Sequence, residues 1–401
     1  MTDAPYLQPG RIGKLSLKNR LVRAATSETM ATASGEATDR LVKLYADIAA
    51  GGAGLMITGH MFVEPRGQYE PMQTAIHSDA AIAGLKRVTD AVHARGGVIF
   101  AELSHAGSQS VLPEIEAIAP SLIPNAIYAR EPKAMSGADV DAVVAAFGAA
   151  ARRAMAAGFD GIHIHGANGY LVSAFNSPHA NRRTDGWGGD AERRSRFIVS
   201  VYQVIRAAVG PDVPVTARVG MVDTVEGGLT LEESVDRVHH LESLGLDAVE
   251  VQLGVMGTYL RSVVPYVGVT KRRALADGLL HRLTADKVPE AYFRPYAQAL
   301  KARVKIPVIL VGGVRSTEVM TDVLQSGDAD FLAMARPFVR EPDLPAKLAA
   351  GRRGLVDCVS CNICLKHEGR DPLQCWRTSA SAMAYHVYCR FWRDRRGAVT
   401  K

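Results

Sequence analysis

Residues 160–171 read Asp160-Gly161-Ile162-His163-Ile164-His165-Gly166-Ala167-Asn168-Gly169-Tyr170-Leu171. The run from Asp160 to Ile164 is short, apolar and of β type, and a polar turn follows it at once. His165, Asn168 and Tyr170 then fall within six residues, with Gly166 and Gly169 keeping the backbone between them sharp and open. Two neutral hydrogen-bond donors beside a phenol can hold a carbonyl oxygen and deliver a proton next to it. A polar turn after a strand is common in any fold, so the weight of this stretch depends on its surroundings.

Working outward, short apolar runs recur at Arg20–Ala25, Ala53–Gly59, Val98–Leu103, Asp160–Ile164, Val213–Val219, Asp247–Gln252, Ile306–Gly312 and Asp330–Ala335. Their β-branched or continuously apolar character is that of buried parallel strands. Between most of them lie segments with apolar residues three or four apart: Asp39–Ala50, Asp79–Arg95, Ala138–Ala157, Ala191–Val209, Leu231–Leu244 and Thr317–Gln325. Gly52, Gly96, Gly158, Gly210, Gly245 and Gly327 stand just past helix ends, where a left-handed residue is wanted. Strand and helix alternating through eight strands predict an α/β protein, a (β/α)8 TIM barrel. A doubly wound sheet is the rival, but the Gly-rich phosphate turn it usually carries after its first strand is missing after Ala25.

A barrel places chemistry on the loops after its strands, and unusual polar residues occupy that position strand after strand. Ser27 follows strand one; Thr58 and Gly59 close strand two; Glu102 and His105 close strand three. His165, Asn168 and Tyr170 follow strand four, Arg218 ends strand five and Gln252 ends strand six. Gly312-Gly313 after strand seven and Ala335-Arg336 after strand eight suit a phosphate held by backbone N–H groups and a guanidinium. The stretch Met256–Val288 is long, polar and basic, and reads equally as a lid over the strand-six rim or as a solvated loop.

The chain has 401 residues and a formal charge of +6. That charge is modest for the size and reads as solubility, with no nucleic-acid motif to give it another meaning. No uninterrupted apolar run reaches the roughly 18 residues of a membrane span. The first ten residues carry no signal-peptide pattern, so the expected compartment is the cytoplasm.

The cysteines are uneven. The first 357 residues contain none; Cys358, Cys361, Cys364 and Cys375 then arrive on the spacing C-x2-C-x2-C-x10-C, with Cys389 beyond. Such clustering without an export signal argues for metal ligation rather than a disulfide framework. Four thiolates suit an iron-sulfur cluster or a closed zinc site. Cys389 reads as a lone structural or surface thiol. The expected division is a barrel at 1–350 and a Cys-rich, metal-binding extension with a basic tail at 351–401. From Arg377 onward the tail reads as a frayed end, or else as an interaction segment.

The order of several motifs along this barrel resembles the old yellow enzyme family of FMN-dependent oxidoreductases. They are Pro9-Gly10-Arg11-Ile12-Gly13 with Leu17-Lys18-Asn19-Arg20, Gly51-Gly52-Ala53-Gly54-Leu55, Leu103-Ser104-His105-Ala106-Gly107 and Ala119-Pro120-Ser121. Ala157-Gly158-Phe159-Asp160-Gly161, the His165–Tyr170 stretch, Ser177-Pro178 with Asn181 and Arg182, and Gly188-Gly189 with Arg194 and Arg196 continue them. The cysteine motif is similar to the [4Fe-4S] motif of the branch containing trimethylamine dehydrogenase and 2,4-dienoyl-CoA reductase. The nucleotide-binding domains of those relatives are not found: only about 26 residues follow Cys375, without a strand–GxGxxG–helix unit.

The resemblance implies bound FMN, with NAD(P)H as co-substrate. It implies that His165 and Asn168 bind a substrate carbonyl, that Tyr170 supplies a proton, and that Arg218 lies near flavin N1 and O2. Ser27 and the Ala25 backbone would meet the O4/N5 edge, Gly59 and Glu102 would join the cofactor site, and Gly312, Gly313, Ala335 and Arg336 would take the phosphate. Three departures stand out: Glu102 where the family often has Gln, Ala25 where it often has Pro, and Ser108 where Arg often follows the His-Ala-Gly motif. The implied activity is reduction of a C=C bond conjugated to a carbonyl in an enone-like small molecule. An FMN/Fe-S dehydrogenase that oxidises a C–N bond and passes electrons to a partner protein is the alternative; a non-catalytic electron-transfer flavoprotein subunit is the second. No nucleic-acid or membrane partner is expected, and a homo-oligomer is compatible with the sequence.

Overall fold

A computed structural model describes residues 3–125, 130–257 and 290–393. Eight parallel strands close on themselves: β1 (Leu21–Arg23), β2 (Leu55–Ile57), β3 (Ile99–Ser104), β4 (Gly161–Gly166), β5 (Val215–Gly220), β6 (Ala248–Gln252), β7 (Val308–Val311) and β8 (Phe331–Met334). Each pairs with the next, and β8 pairs with β1 to complete the ring. All eight predicted strands are present. The fold is the expected TIM barrel.

Among the described residues, the helices that alternate with the strands are α1 (Asp39–Ala50), α2 (Ala81–His93), α3 (Gly137–Ala156), α4 (Ala191–Val209), α5 (Leu231–Ser243), α6 (Arg294–Lys301), α7 (Thr317–Gln325) and α8 (Leu344–Ala349). Capping explains several starts. Thr38 accepts from Leu41 N–H, Ser136 and Asp139 form a reciprocal capping box, and Asp190, Thr230 and Ser316 cap α4, α5 and α7. The six glycines expected past helix ends all have positive φ. In α1 the buried Leu41, Tyr45, Ile48 and Ala49 recur at helical spacing and face the barrel. The helices α6 and α8 escape a periodicity reading because they have only eight and six residues and each carries Pro in its first turn.

The strands read as continuous apolar runs because both faces are buried, yet their two faces differ. Ile162 and Ile164 alternate with His163 and His165 on β4; Ala217 and Val219 alternate with Thr216 and Arg218 on β5; Val249 and Val251 alternate with Glu250 on β6. Register sets His165 beside Arg218 and Arg218 beside Glu250, with His163 beside Thr216 and Glu102. Neighbours in register share a side of the sheet. One side is therefore aliphatic and meets the helices, and the other carries a buried polar set.

The segment after α8 is seated on the barrel's C-terminal rim. Val356 N–H donates to Arg315 O, Leu373 N–H to Glu28 O and Gly369 N–H to Thr29 Oγ1. The described part of the tail is not frayed, which corrects that expectation. Ala380–Tyr388 is a helix capped by Ser379, and Trp376, His386 and Cys389 are buried. Aromatic stacking explains it: the Trp376 ring lies 3.9 Å from His367 and 5.6 Å from Tyr385. Cys389, a lone thiol by sequence, lies near His367 and Asp371. Residues beyond 393 and nearly all of Met256–Val288 lie outside the described residues. Among the described residues no helix is long and apolar enough to cross a membrane.

Candidate active site

The C-terminal ends of the strands open into one cavity. Of the predicted residues, Ala25, Ser27, Glu102, His165, Asn168, Tyr170, Arg218, Gly312, Gly313, Ala335 and Arg336 all line it. Gly59 does not. Its N–H donates to Glu28 Oε1 at 2.6 Å, and a Cβ at this position would strike that carboxylate. Glu28 is held in turn by the Tyr45 hydroxyl. The residue at the rim of β2 is instead His60, which lines the cavity and which the sequence reading passed over.

At the floor, Arg218 Nε donates to Glu250 Oε1 at 2.7 Å, and its Nη1 lies 3.5 Å from Glu102 Oε1. All three side chains are buried. Burial pushes the Glu102 carboxyl up to about 8 against the opposing pull of Arg218, and the neighbouring carboxylates Glu250 and Glu28 add to the rise. The Arg218 guanidinium is desolvated, yet Glu102 and Glu250 hold its pKa above the ordinary value. Glu102 Oε1 and Glu250 Oε2 are buried with no hydrogen-bond partner among the described residues. A buried acceptor in that state calls for a donor.

One wall carries the neutral donors. Burial first, and the Arg218 charge second, hold the His165 pKa well below its ordinary value, so its ring is neutral at physiological pH. The Tyr170 ring is 4.5 Å from His165 and 5.2 Å from His60. Asn168 is left-handed, at φ 58°. Its N–H donates to Leu253 O at 2.8 Å and its carbonyl accepts from Gln109 Nε2 at 2.6 Å. Those bonds spend its main-chain groups on the loops after β6 and β3 and leave its side chain to line the cavity.

Ser27 donates to Glu70, which is buried beside it. Burial first, and the nearby Glu368 carboxylate second, hold Glu70 well above the carboxylate range. Nothing in the sequence pattern marks Glu70, since its partners come from segments far away along the chain.

At the other end, Gly312 and Gly313 have φ of 105° and 81°, and a Cβ on either would meet the Tyr292 ring. Only glycine lets the backbone pass under that ring. Arg336, after the neighbouring strand β8, also lines the cavity and donates to Asn362 Oδ1.

Arg336 also lines a second cavity, shared with Cys358, Cys361, Cys364 and Cys375. The structure thus gathers all four predicted ligands. Cys364 belongs to the walls of both cavities. Burial pushes its thiol up to about 12, opposed by Arg336, with the other three thiols adding to the rise. Ser360 and Asn362 are left-handed, which folds the loop tightly around the sulfurs, and Ser360 N–H donates to Cys358.

Known proteins can now be set beside this geometry. Residues 6–354 match the model of the NADH:flavin oxidoreductase / NADH oxidase family. The chain is 34% identical over 383 residues to a 4,4'-dithiodibutanoate disulfide reductase of Rhodococcus erythropolis, covering 91% of this chain and 94% of that one. It is 31% identical over 381 residues to a cinnamate reductase of Clostridium sporogenes strain ATCC 7955, covering 88% of this chain and 54% of that one. A solved 2-naphthoyl-CoA reductase complex superposes with a TM-score of 0.84 at 24% identity, over 95% of this chain and 58% of that chain; this likeness is one of fold. The chain spans about half the length of several curated relatives that it matches.

Proposed function

The chain belongs to the NADH:flavin oxidoreductase / NADH oxidase family, and from that premise we propose an FMN-dependent NAD(P)H oxidoreductase that reduces a C=C bond conjugated to a carbonyl. The observation that carries the finer reading is the convergence of neutral His165, Asn168 and Tyr170 on one cavity. Two uncharged donors match a carbonyl oxygen on which negative charge develops. A cationic amine does not need two such donors, so the C–N dehydrogenase takes second place. A relative named for reducing cinnamate is in keeping with this class.

The residues fit FMN. Glu102 offers the partnerless acceptor that a ring N–H satisfies, and Arg218 lies beside it to neutralise a reduced, anionic ring. The backbone at Gly312-Gly313, with Ala335 and Arg336 on the loop of the neighbouring strand, would take the phosphate. FMN would supply a two-electron carrier that accepts hydride from NAD(P)H and delivers it to the substrate β-carbon. The protein does the rest: His165 and Asn168 hold and polarise the carbonyl, Tyr170 gives its proton to the α-carbon, and the buried wall excludes water.

For the cysteine cavity the reading is a [4Fe-4S] cluster. The spacing C-x2-C-x2-C-x10-C and the gathering of all four thiols around one cavity support it, and a closed zinc site on the same residues is the alternative. With Cys364 in both walls, residues 351–401 form a metal-binding extension through which a redox partner could exchange electrons. A cluster held by thiolates is in keeping with a reducing compartment such as the cytoplasm.

Purified protein is expected to be yellow and to release FMN on denaturation. Tyr170→Phe should slow flavin reoxidation by 2-cyclohexenone by roughly a hundredfold or more while leaving reduction by NAD(P)H near wild type. Stopped-flow absorbance of each half-reaction checks this. Equal slowing of both halves would defeat the proton-donor role, and a colourless protein after FMN reconstitution would defeat the whole reading.

A further inference from the structure

His60 has a polar edge that the proposed chemistry does not use. Its ring lines the cavity and packs 5.2 Å from Tyr170 and 5.8 Å from His165, centre to centre. The tautomer of this ring can be worked out from its neighbours. Tyr69 N–H donates to Gln73 Oε1 at 2.6 Å, which fixes the end of that amide bearing the oxygen. The Gln73 amide nitrogen therefore faces His60, reaching its carbonyl at 2.7 Å and its Nδ1 at 2.9 Å. An NH2 group only donates, so Nδ1 must present its lone pair. The single proton of the neutral ring then sits on Nε2. Burial, and the charge of Arg218, drop the ring's pKa to about 3, so no second proton arrives at physiological pH. Among the described residues nothing accepts from Nε2–H, and its nitrogen is not one of the fully enclosed polar atoms.

We propose that His60 is a specificity-determining residue whose Nε2–H binds a second oxygen of the substrate. The preferred substrates are then conjugated carbonyl compounds bearing a further carbonyl or carboxylate oxygen. This rests on the reading of the cavity as an ene-reduction site. His165 and Asn168 serve the activating carbonyl, and a donor fixed in orientation and protonation beside Tyr170 serves the second acceptor. A site built to hydrogen-bond an oxygen discriminates against the analogue lacking it, because the buried donor is otherwise left unmatched. Gln73 is a positioning residue that selects the tautomer.

The test uses FMN-loaded protein at pH 8.5 and two probes: 2-cyclohexenone with one carbonyl, and ketoisophorone with two. Dissociation constants come from the perturbation of the oxidised flavin spectrum, and turnover is followed in the same samples. His60→Phe keeps an aromatic ring without the donor. Gln73→Glu keeps the imidazole but replaces the donating amide with an acceptor, which draws the proton to Nδ1. Both variants should shift the ratio of the two constants at least tenfold toward 2-cyclohexenone. A ratio within twofold of wild type in either variant overturns the proposal. A shift in His60→Phe alone would mean that ring shape matters and the donor does not. A wild-type protein that binds neither probe overturns it as well. If the ratio shifts in both variants but neither probe is turned over, the ene-reductase reading fails and the donor assignment stands. If turnover is intact and the ratio flat, the reverse holds.

Discussion

The barrel wall and the cysteine loop both gather polar groups from distant parts of the chain, but by different means. On the wall, His165, Arg218 and Glu250 are neighbours because three strands are hydrogen-bonded in register. Their spacing is a property of the sheet. Around the cysteine cavity, Cys358 and Cys361 sit on an irregular loop with two left-handed residues, Cys364 opens a short 3-10 helix, and Cys375 returns from a separate segment. Nothing periodic holds those sulfurs apart, and burial first, with the neighbouring thiols adding to it, pushes the Cys358 and Cys364 thiols up. The wall can be preformed without its ligand, whereas the loop needs a cation centre to favour its thiolates.

The largest effect should come from the loop. Cys361→Ala, in protein prepared anaerobically, should lose nearly all of the roughly four iron and four sulfide per chain expected of the intact motif. FMN content, measured on the same sample, should stay near one per chain. Parallel loss of both would show that the two regions do not stand independently.

On the wall, Arg218→Ala leaves Glu102 and Glu250 buried without their cation. Breaking a buried pair from one side costs about 3–5 kcal/mol, and urea unfolding of the flavin-free protein should show a loss of that order. A loss below 1 kcal/mol would mean that water enters the floor and that the wall is not preformed.

The smallest effect is in pH. The Glu102 carboxyl is raised to about 8 in the folded chain, above its unfolded value of about 4.3. The folded state therefore binds more protons between these values, and stability falls as pH rises through that window. The slope should be at most about 1.4 kcal/mol per pH unit, and should flatten in Glu102→Gln. An unchanged slope in the variant would assign the titration to another group.

Much of this architecture was legible because two periodicities were. Eight apolar runs and their helices follow from burial on both faces of a parallel sheet, and most of the predicted site residues line one cavity at the rim, where the rule puts them. The cysteines announced themselves by spacing alone. The readable signal stopped where side chains meet through tertiary contact. Glu250 looks like one polar residue inside a strand until register sets it against Arg218. Glu70 acquires meaning only through Ser27, 43 residues away. At β2 the rim rule pointed to the right loop and the wrong residue. Gly59 serves Glu28 and Tyr45, and the next residue, His60, takes the cavity position. That signal was present, in a histidine directly after a strand end.

Asn168 carries a consequence for how such a protein can change. Its backbone is tied on one side to Leu253 and on the other to Gln109. The loops after strands three, four and six thus converge on a single side chain. Barrels are commonly pictured as scaffolds whose loops can be exchanged one at a time. Here a graft of any one of these three would mis-aim the amide contributed by another. Variation at this mouth must come from single substitutions, within the trio or beside it at position 60, or from replacing all three together.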